Sequence, residues 1–133
     1  MDHFAIDMDE NQIGKIVVDA AIQIHRELGP GLLESVYSVV LTKELEARGL
    51  EVEREVPVPI MYRGVQFNEG SRADVLIEGC VILELKSVEQ LSKIHAKQLL
   101  TYLKLMDLRL GFLLNFGAYL MKDGIQRIVN GLP

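Results

Sequence analysis

The sequence predicts one mixed α/β domain in which a central sheet is flanked by helices. Apolar residues recur at helical spacing in residues 9–28, 32–48 and 91–107, and shorter apolar or alternating segments between and after them are typical of strands. The order is helix, helix, three strands, helix, strand and a short hairpin, which indicates an α/β or α+β domain. Because 133 residues are too few for two comfortable domains, we expect residues 1–133 to form a single domain.

Two of the three predicted helices lie before the first strand. The first helix, 9–28, has Asp9 or Asn11 as a possible N-cap, and "GPG" at 29–31 ends it. The second helix, 32–48, is ended by Gly49. The third helix, 91–107, separates the last two strands of the predicted core.

The strand segments differ in character. Residues 51–64 alternate and carry Pro57 and Pro59, which predicts an extended strand with an edge or a bulge. Further strands are predicted at 72–78, 80–87 and 108–116, and residues 118–130 are expected to form a hairpin that turns at Asp123-Gly124.

Composition places the chain among soluble globular proteins, with 49% hydrophobic and 25% charged residues. The apolar runs are shorter than the roughly 20 residues of a membrane span, and the acidic start "MDHFAIDMDE" lacks the layout of a signal peptide. A single cysteine, Cys80, excludes an internal disulfide and a cysteine-ligated iron–sulfur cluster. We therefore expect a cytoplasmic protein.

The net charge of −5 counts mildly against a nucleic-acid-binding protein, because phosphate contacts draw on Lys and Arg. A site that holds Mg²⁺ must itself be acidic, however, so the charge leaves this question open.

Three charged side chains interrupt the apolar strands 72–78 and 80–87: Asp74, Glu84 and Lys86. Burying a charge without a partner costs several kcal/mol. Side chains alternate along a strand, so Glu84 and Lys86 share one face of the sheet.

The register of this hairpin determines whether the two acids meet. A three-residue turn would pair Ile77 with Val81 and would set Asp74 opposite Glu84, with Cβ atoms roughly 4.5–5.5 Å apart. A two-residue turn would shift the register. Facing carboxylates repel each other, and Mg²⁺ or Mn²⁺ would remove that penalty. The alternative is that Lys86 simply bridges the two carboxylates at a hairpin edge.

Two polar residues also lie on the apolar faces of predicted helices. At about 100° per residue, Glu34 aligns with an apolar stripe, and so does Gln98. The stripes contain Tyr37, Leu41 and Leu45 in the second helix, and Leu91, Tyr102 and Leu105 in the third. We expect both polar side chains to point inward. The alternatives are a first-turn carboxylate favoured by the helix dipole for Glu34 and a core amide bonded to backbone for Gln98.

These residues resemble known motifs. Asp74 followed by Glu84-Leu85-Lys86 resembles the D…(D/E)xK motif of the PD-(D/E)xK nuclease superfamily, and Gln98-x-x-x-Tyr102 resembles the QxxxY motif of its RecB-like branch. "GLLESVY" at 31–37 resembles the name-giving motif of the GxxExxY protein family, which is placed in that superfamily. The resemblance implies a restriction-endonuclease-like αβββαβ core with an extra N-terminal helix and a C-terminal hairpin.

The resemblance also implies roles for individual residues. Asp74, Glu84 and Glu34 would bind the catalytic Mg²⁺ or Mn²⁺, with help from the Leu85 carbonyl. Lys86 would position or deprotonate the attacking water and offset charge in the transition state. Because it lies beside two carboxylates, we expect Lys86 to stay protonated and favour the electrostatic role.

The remaining implied roles are supporting ones. Gln98 would orient Lys86 or the water. Tyr37 and Tyr102 would support the site or touch the substrate backbone. His25 would border the site or merely cover a helix edge.

The sequence departs from the superfamily pattern in two respects. Ala73 stands where the motif has proline, and the cysteines that hold an iron–sulfur cluster in some relatives are missing. No segment predicts a helicase, methylase or DNA-recognition domain, so we expect the chain to act alone, as a homodimer or with a partner protein.

The expected function is metal-dependent hydrolysis of nucleic acid, with DNA as the substrate. The alternatives are a non-catalytic interaction or regulatory module on the same fold, and a hydrolase of small phosphate compounds.

Overall fold

The computed structural model describes residues 8–133, and residues 1–7 of the predicted domain lie outside the described part. The helices are α1 (Glu10–Leu28), α2 (Glu34–Ala47) and α3 (Lys93–Met106). The strands are β1 (Val52–Pro57), β2 (Ile60–Tyr62), β3 (Val65–Phe67), β4 (Arg72–Ile77), β5 (Val81–Lys86), β6 (Leu110–Asn115) and β7 (Ile125–Val129).

Five strands form one mixed sheet in the order β1-β4-β5-β6-β7. β5 and β6 run parallel, joined by α3, and the other neighbours are antiparallel. The succession α2, β1, β4, β5, α3 and β6 is the predicted αβββαβ core, with α1 as the extra N-terminal helix. The predicted fold class is therefore confirmed.

Each face of the sheet carries its own apolar core. On one face, α1 and α2 pack against alternate side chains of the central strands, among them Val75, Leu83 and Phe112. On the other face, α3 contributes Leu99 and Leu103, which contact Ile82 and Leu113 in the same cluster.

The start of α1 and the β4–β5 turn agree with the sequence predictions. Asp9 caps α1 by accepting the Gln12 N–H at 2.8 Å, and the Gln12 side chain accepts the Asp9 N–H in return. The turn after β4 has three residues, with Glu78 and Gly79 both at positive φ. Ile77 therefore pairs with Val81, as predicted.

Two segments differ from their predictions. The strand expected at 51–64 ends at Pro57, because Pro57 and Pro59 cannot donate to a sheet ladder, and the chain then forms the separate β2–β3 hairpin. Residues 118–130 contribute one strand rather than two. Their first half contains a 3₁₀ turn, Met121–Asp123, and β7 pairs with β6, so those two strands form the C-terminal hairpin.

No helix within residues 8–133 is both long and apolar enough to cross a bilayer.

Candidate active site

Two carboxylates meet where the β4–β5 ladder ends. The last ladder pair is Val75 with Leu83. Beyond it, the Asp74 N–H donates to Glu84 Oε2 at 3.0 Å, and the Leu85 N–H donates to Asp74 Oδ2 at 2.8 Å. Each acid thus satisfies a backbone N–H of the other strand, which a buried chain must pair. The predicted encounter of Asp74 and Glu84 is present.

The electrostatics of the pair are unfavourable to two negative charges. Glu84 is only 5% exposed. Burial, together with the hydrogen bond and charge of Asp74, raises its pKa from 4.5 to about 9. The Asp74 N–H and the Lys86 ammonium act in the opposite direction. Two carboxyl groups that share a site in this way keep a proton or require a cation.

Glu34 reaches the same region from α2. It lines a cavity of about 170 Å³ together with Asp74 and Leu85. Its side chain is exposed, however, so the prediction that it points inward is wrong. The helical phase was correct, since Tyr37, Leu41 and Leu45 on the same stripe are fully buried. Glu34 is the first residue of α2, so its side chain lies at the open end of the stripe. This position agrees with the dipole-favoured alternative.

Lys86 and Gln98 have different positions relative to the carboxylates. Lys86 is half-buried at the end of β5, and its charge lowers the pKa of Glu84, although less than burial and Asp74 raise it. Gln98 is exposed and does not line the cavity, so its predicted inward orientation is wrong. The buried side of α3 centres on Leu99 and Leu103, and Gln98 lies about 100° from Leu99 around the helix axis.

The two tyrosines lie beside the site in different ways. Tyr102 is buried, and burial raises its pKa. A hydrogen bond with Ser71 lowers the pKa of Tyr102, and the charges of Glu84 and Asp74 raise it further. Tyr37 is fully buried, donates its hydroxyl to the Gly29 carbonyl at 2.5 Å and accepts the Leu32 N–H at 3.2 Å. These bonds hold the loop that precedes Glu34.

His25 lies away from the carboxylates. Its Nε2 donates to the Ala118 carbonyl at 2.8 Å, since a carbonyl can only accept, and its ring lies near Phe116. His25 lines a cavity of about 550 Å³ with Tyr119 and Met121 rather than the cavity of Asp74.

A comparison with protein families decides the affiliation. The model of the PD-(D/E)XK nuclease superfamily matches residues 11–128. The chain belongs to this superfamily. Its members generally hydrolyse phosphodiester bonds and typically use divalent metal ions. Searches of curated proteins and of solved structures each found no match.

The cavity of Glu34 and Asp74 also contains a positively charged side chain that the sequence did not predict there. Arg54 lines the cavity, and its Nε–H donates to Ser38 Oγ at 3.1 Å. Glu55, also in the lining, has φ of 54°, a left-handed conformation rare for a residue with a side chain. The only signal in the sequence was an arginine between two glutamates, which does not reveal which element it will face.

The donor set can be tested against the metal that the superfamily implies. Among residues 8–133, no group of three or more His, Cys, Asp or Glu side chains is arranged to hold a metal ion. Mg²⁺, however, is commonly bound through one or two carboxylates plus waters and substrate phosphates. The Asp74–Glu84 pair, in which the pKa of Glu84 is raised, supplies two hard oxygen donors at a point where positive charge is favourable. The residues fit such an ion.

Proposed function

We propose that this chain is a Mg²⁺- or Mn²⁺-dependent nuclease that hydrolyses phosphodiester bonds of nucleic acid, with DNA as the expected substrate. The observation that carries the proposal is the reciprocal pair of Asp74 and Glu84, held by 2.8 and 3.0 Å backbone hydrogen bonds. The charged form of this pair is unfavourable unless a cation is present. The superfamily match supports the same reaction class.

The positions of the side chains support a role for each residue. Asp74 and Glu84 would hold the ion, with the Leu85 carbonyl and Glu34 as further ligands. The ion would polarise the phosphate and lower the pKa of a water, as divalent ions do in phosphodiester hydrolysis. The chain's own carboxylates would orient that water and accept its hydrogen bonds.

Lys86 and Arg54 would supply positive charge to the developing phosphorane-like state. Lys86 is near enough to Glu84 to lower its pKa, and Arg54 lines the cavity that contains Asp74. Lys86 is half-buried, and a positive group fixed in a partly buried site stabilises developing negative charge more than the same group in water. The proposed role of Gln98, to orient Lys86 or the water, requires its exposed side chain to turn toward β5.

A cleavage assay tests the enzyme proposal. Purified protein is incubated with labelled single- and double-stranded DNA and RNA in Mg²⁺, Mn²⁺ or EDTA, alongside Glu84→Ala and Asp74→Asn. We expect cleavage only with metal and a loss of more than about 100-fold in both variants. Glu46→Gln, at an exposed position of α2, is the matched control and should cleave as wild type does. Cleavage that survives in Glu84→Ala would contradict the proposal.

A second candidate is a non-catalytic interaction or regulatory module. The exposure of Glu34 and Gln98 favours it, and so does the meeting of only two carboxylates among residues 8–133. Metal binding separates the two candidates. The nuclease should gain about 2.7 kcal/mol of unfolding free energy at an ion concentration 100 times the dissociation constant, and Asp74→Asn should abolish the gain. If the melting temperature does not change when Mg²⁺ or Mn²⁺ is added, the protein is the non-catalytic module.

A further inference from the structure

The β2–β3 hairpin has an apolar face that nothing in residues 8–133 covers. The pairs Ile60–Phe67 and Tyr62–Val65 put all four of these side chains on one face. Tyr62 is 62% exposed, Val65 54% and Phe67 42%. Exposed patches of large apolar side chains on a soluble domain commonly mark an interaction site.

The hairpin is joined directly to the strands of the candidate site. β1 ends at Pro57, which pairs with Arg72, and Asp74 follows two residues later in β4. The stem of the hairpin is anchored, because Val58 is fully buried and its N–H donates to the Ser71 carbonyl at 2.9 Å. The strands beyond this stem form a two-stranded sheet of their own, which is marginally stable without a partner.

The charges of the hairpin favour an anionic partner. The strands and turn of the hairpin, residues 60–67, contain one charged residue, Arg63, and so carry +1 in a chain whose net charge is −5. The Arg63 guanidinium lies 5.4 Å from the centre of the Tyr62 ring. An arginine beside exposed aromatic rings is the combination that binds phosphates and stacks on bases.

We propose that the hairpin face binds a single-stranded segment of nucleic acid, with bases stacked on Tyr62 and Phe67 and a phosphate paired with Arg63. The proposal rests on the proposed nuclease function and names the form of substrate that it takes. Bases within a duplex are already stacked on each other, so an open aromatic face favours unpaired bases. A second copy of the chain is the competing occupant, but two strands of three residues are small against the roughly 800 Å² per partner of a standard interface.

Binding is measured by fluorescence anisotropy with labelled oligo(dT) and with a duplex of the same length, both in EDTA so that no cleavage occurs. We expect tighter binding of the single strand. Tyr62→Ala and Phe67→Ala should each weaken oligo(dT) binding about tenfold, the typical effect of losing one stacked base. Tyr119→Ala is the matched control, because Tyr119 is 89% exposed and lines a different cavity. It should bind as wild type does.

The salt dependence of binding tests the proposed contact between Arg63 and a phosphate. Arg63→Gln should weaken binding and should reduce the slope of log affinity against log salt concentration by about 0.7, the value for one phosphate contact on a single strand. Arg63→Lys should retain the salt slope, because it keeps the charge.

Three results would overturn the proposal: no binding of oligo(dT) by wild type, equal binding of single strand and duplex, or unchanged binding in both aromatic variants. A dimer that dissociates in Tyr62→Ala by light scattering, with oligo(dT) binding unchanged, would assign the face to a second copy and would overturn it as well. Failure of the nuclease proposal is distinguishable, because oligo(dT) binding is measured in EDTA and its outcome does not depend on whether the wild-type protein cleaves the strand when metal is present.

Discussion

Glu84 is a buried acid placed beside a second acid, and this makes it sensitive to pH. Burial and the neighbouring Asp74 raise its pKa from 4.5 to about 9. Between these two values the folded protein holds a proton that the unfolded chain releases. Unfolding therefore releases a proton across this window, and the unfolding free energy falls as pH rises from about 4.5 to about 9.

Glu84→Gln should remove this part of the pH dependence. The amide keeps the size of the side chain but has no proton to lose, so its melting temperature should fall less between pH 5 and pH 9 than that of wild type. Thermal unfolding in EDTA, followed by circular dichroism at several pH values, measures the difference. Glu46→Gln is the control at an exposed site and should follow the wild-type profile. Parallel profiles for wild type and Glu84→Gln would contradict the assignment.

The individual site residues show what residue types and spacing can predict. The meeting of Asp74 and Glu84 was predictable, because the length of the turn fixes the register of an antiparallel pair. The exposure of Glu34 and Gln98 was not. Helical phase gives a direction around the axis, but it does not tell where the helix ends or how wide its buried side is.

At the scale of elements, Tyr37 fastens the connection between α1 and α2. Its hydroxyl bonds to Gly29 and Leu32, while its ring stacks on Phe116 with the centroids 4.4 Å apart. The loop so fixed leads directly into Glu34 at the start of α2.

Tyr37→Phe should keep the stacking and lose both hydroxyl bonds. We expect the unfolding free energy to fall by about 1–3 kcal/mol, the range for a buried polar group left unpaired. If Glu34 acts in catalysis, cleavage should fall as well. Urea unfolding and the cleavage assay measure the two effects. Tyr119→Phe, at an exposed position, should change neither, and a Tyr37→Phe protein as stable as wild type would show that the loop does not depend on these bonds.

Asn115 fastens the segment that follows Lys86. It is buried at the end of β6, where it pairs with Lys86 in the parallel ladder. Its side chain accepts the N–H groups of Val88 and Gly117, each at 3.0 Å, and donates to the Val88 carbonyl at 2.9 Å. The chain approaches closely here, since a Cβ on Gly117 would lie 2.3 Å from the Val88 oxygen.

Asn115→Ala should therefore lower the unfolding free energy by more than the loss of a single hydrogen bond would. Each backbone group left unpaired costs about 1–3 kcal/mol where it stays buried. Asn130→Ala is the matched control, because the Asn130 side chain donates one hydrogen bond, to the Leu108 carbonyl at 2.9 Å. Urea titrations of the two variants are compared. Equal losses would mean that the three bonds of Asn115 add little to stability.

Element boundaries were predictable in proportion to the strength of the local pattern. The three helices and strands β4, β5 and β6 each contain a clear pattern of apolar residues. Their predicted positions agree with the structure. β2 and β3 have three residues each, which is too short for alternation to be distinguished from chance. The prolines correctly signalled an edge, because β1 is the first strand of the sheet.

At the scale of the whole molecule, the two apolar cores share their strands. β5 sends Val81, Leu83 and Leu85 to the core of α1 and α2, and it sends Ile82 to the core of α3. Neither core can open without loss of the strand that the other needs. We therefore propose that the chain is one cooperative domain.

Calorimetry should show a single transition whose calorimetric and van't Hoff enthalpies agree, with a value of about 90 kcal/mol if it occurs near 60 °C. Leu83→Ala and Leu99→Ala remove buried side chains from opposite faces and should each lower the unfolding free energy by about 2–5 kcal/mol. Both should move the whole transition to lower temperature. A second transition in either variant would indicate separate units.

The chain leaves the sheet after Val58 and returns at Ser71, directly beside the point of departure. Because the ends of this excursion are tied together, the sheet does not fix its length, and each doubling of a flexible loop costs only about 0.6 kcal/mol in closure entropy. A whole recognition domain could therefore be inserted into the β2–β3 turn, by natural selection or by protein engineering, without displacing Asp74. Such an insertion would let the choice of target change while the residues of the proposed reaction stay in place.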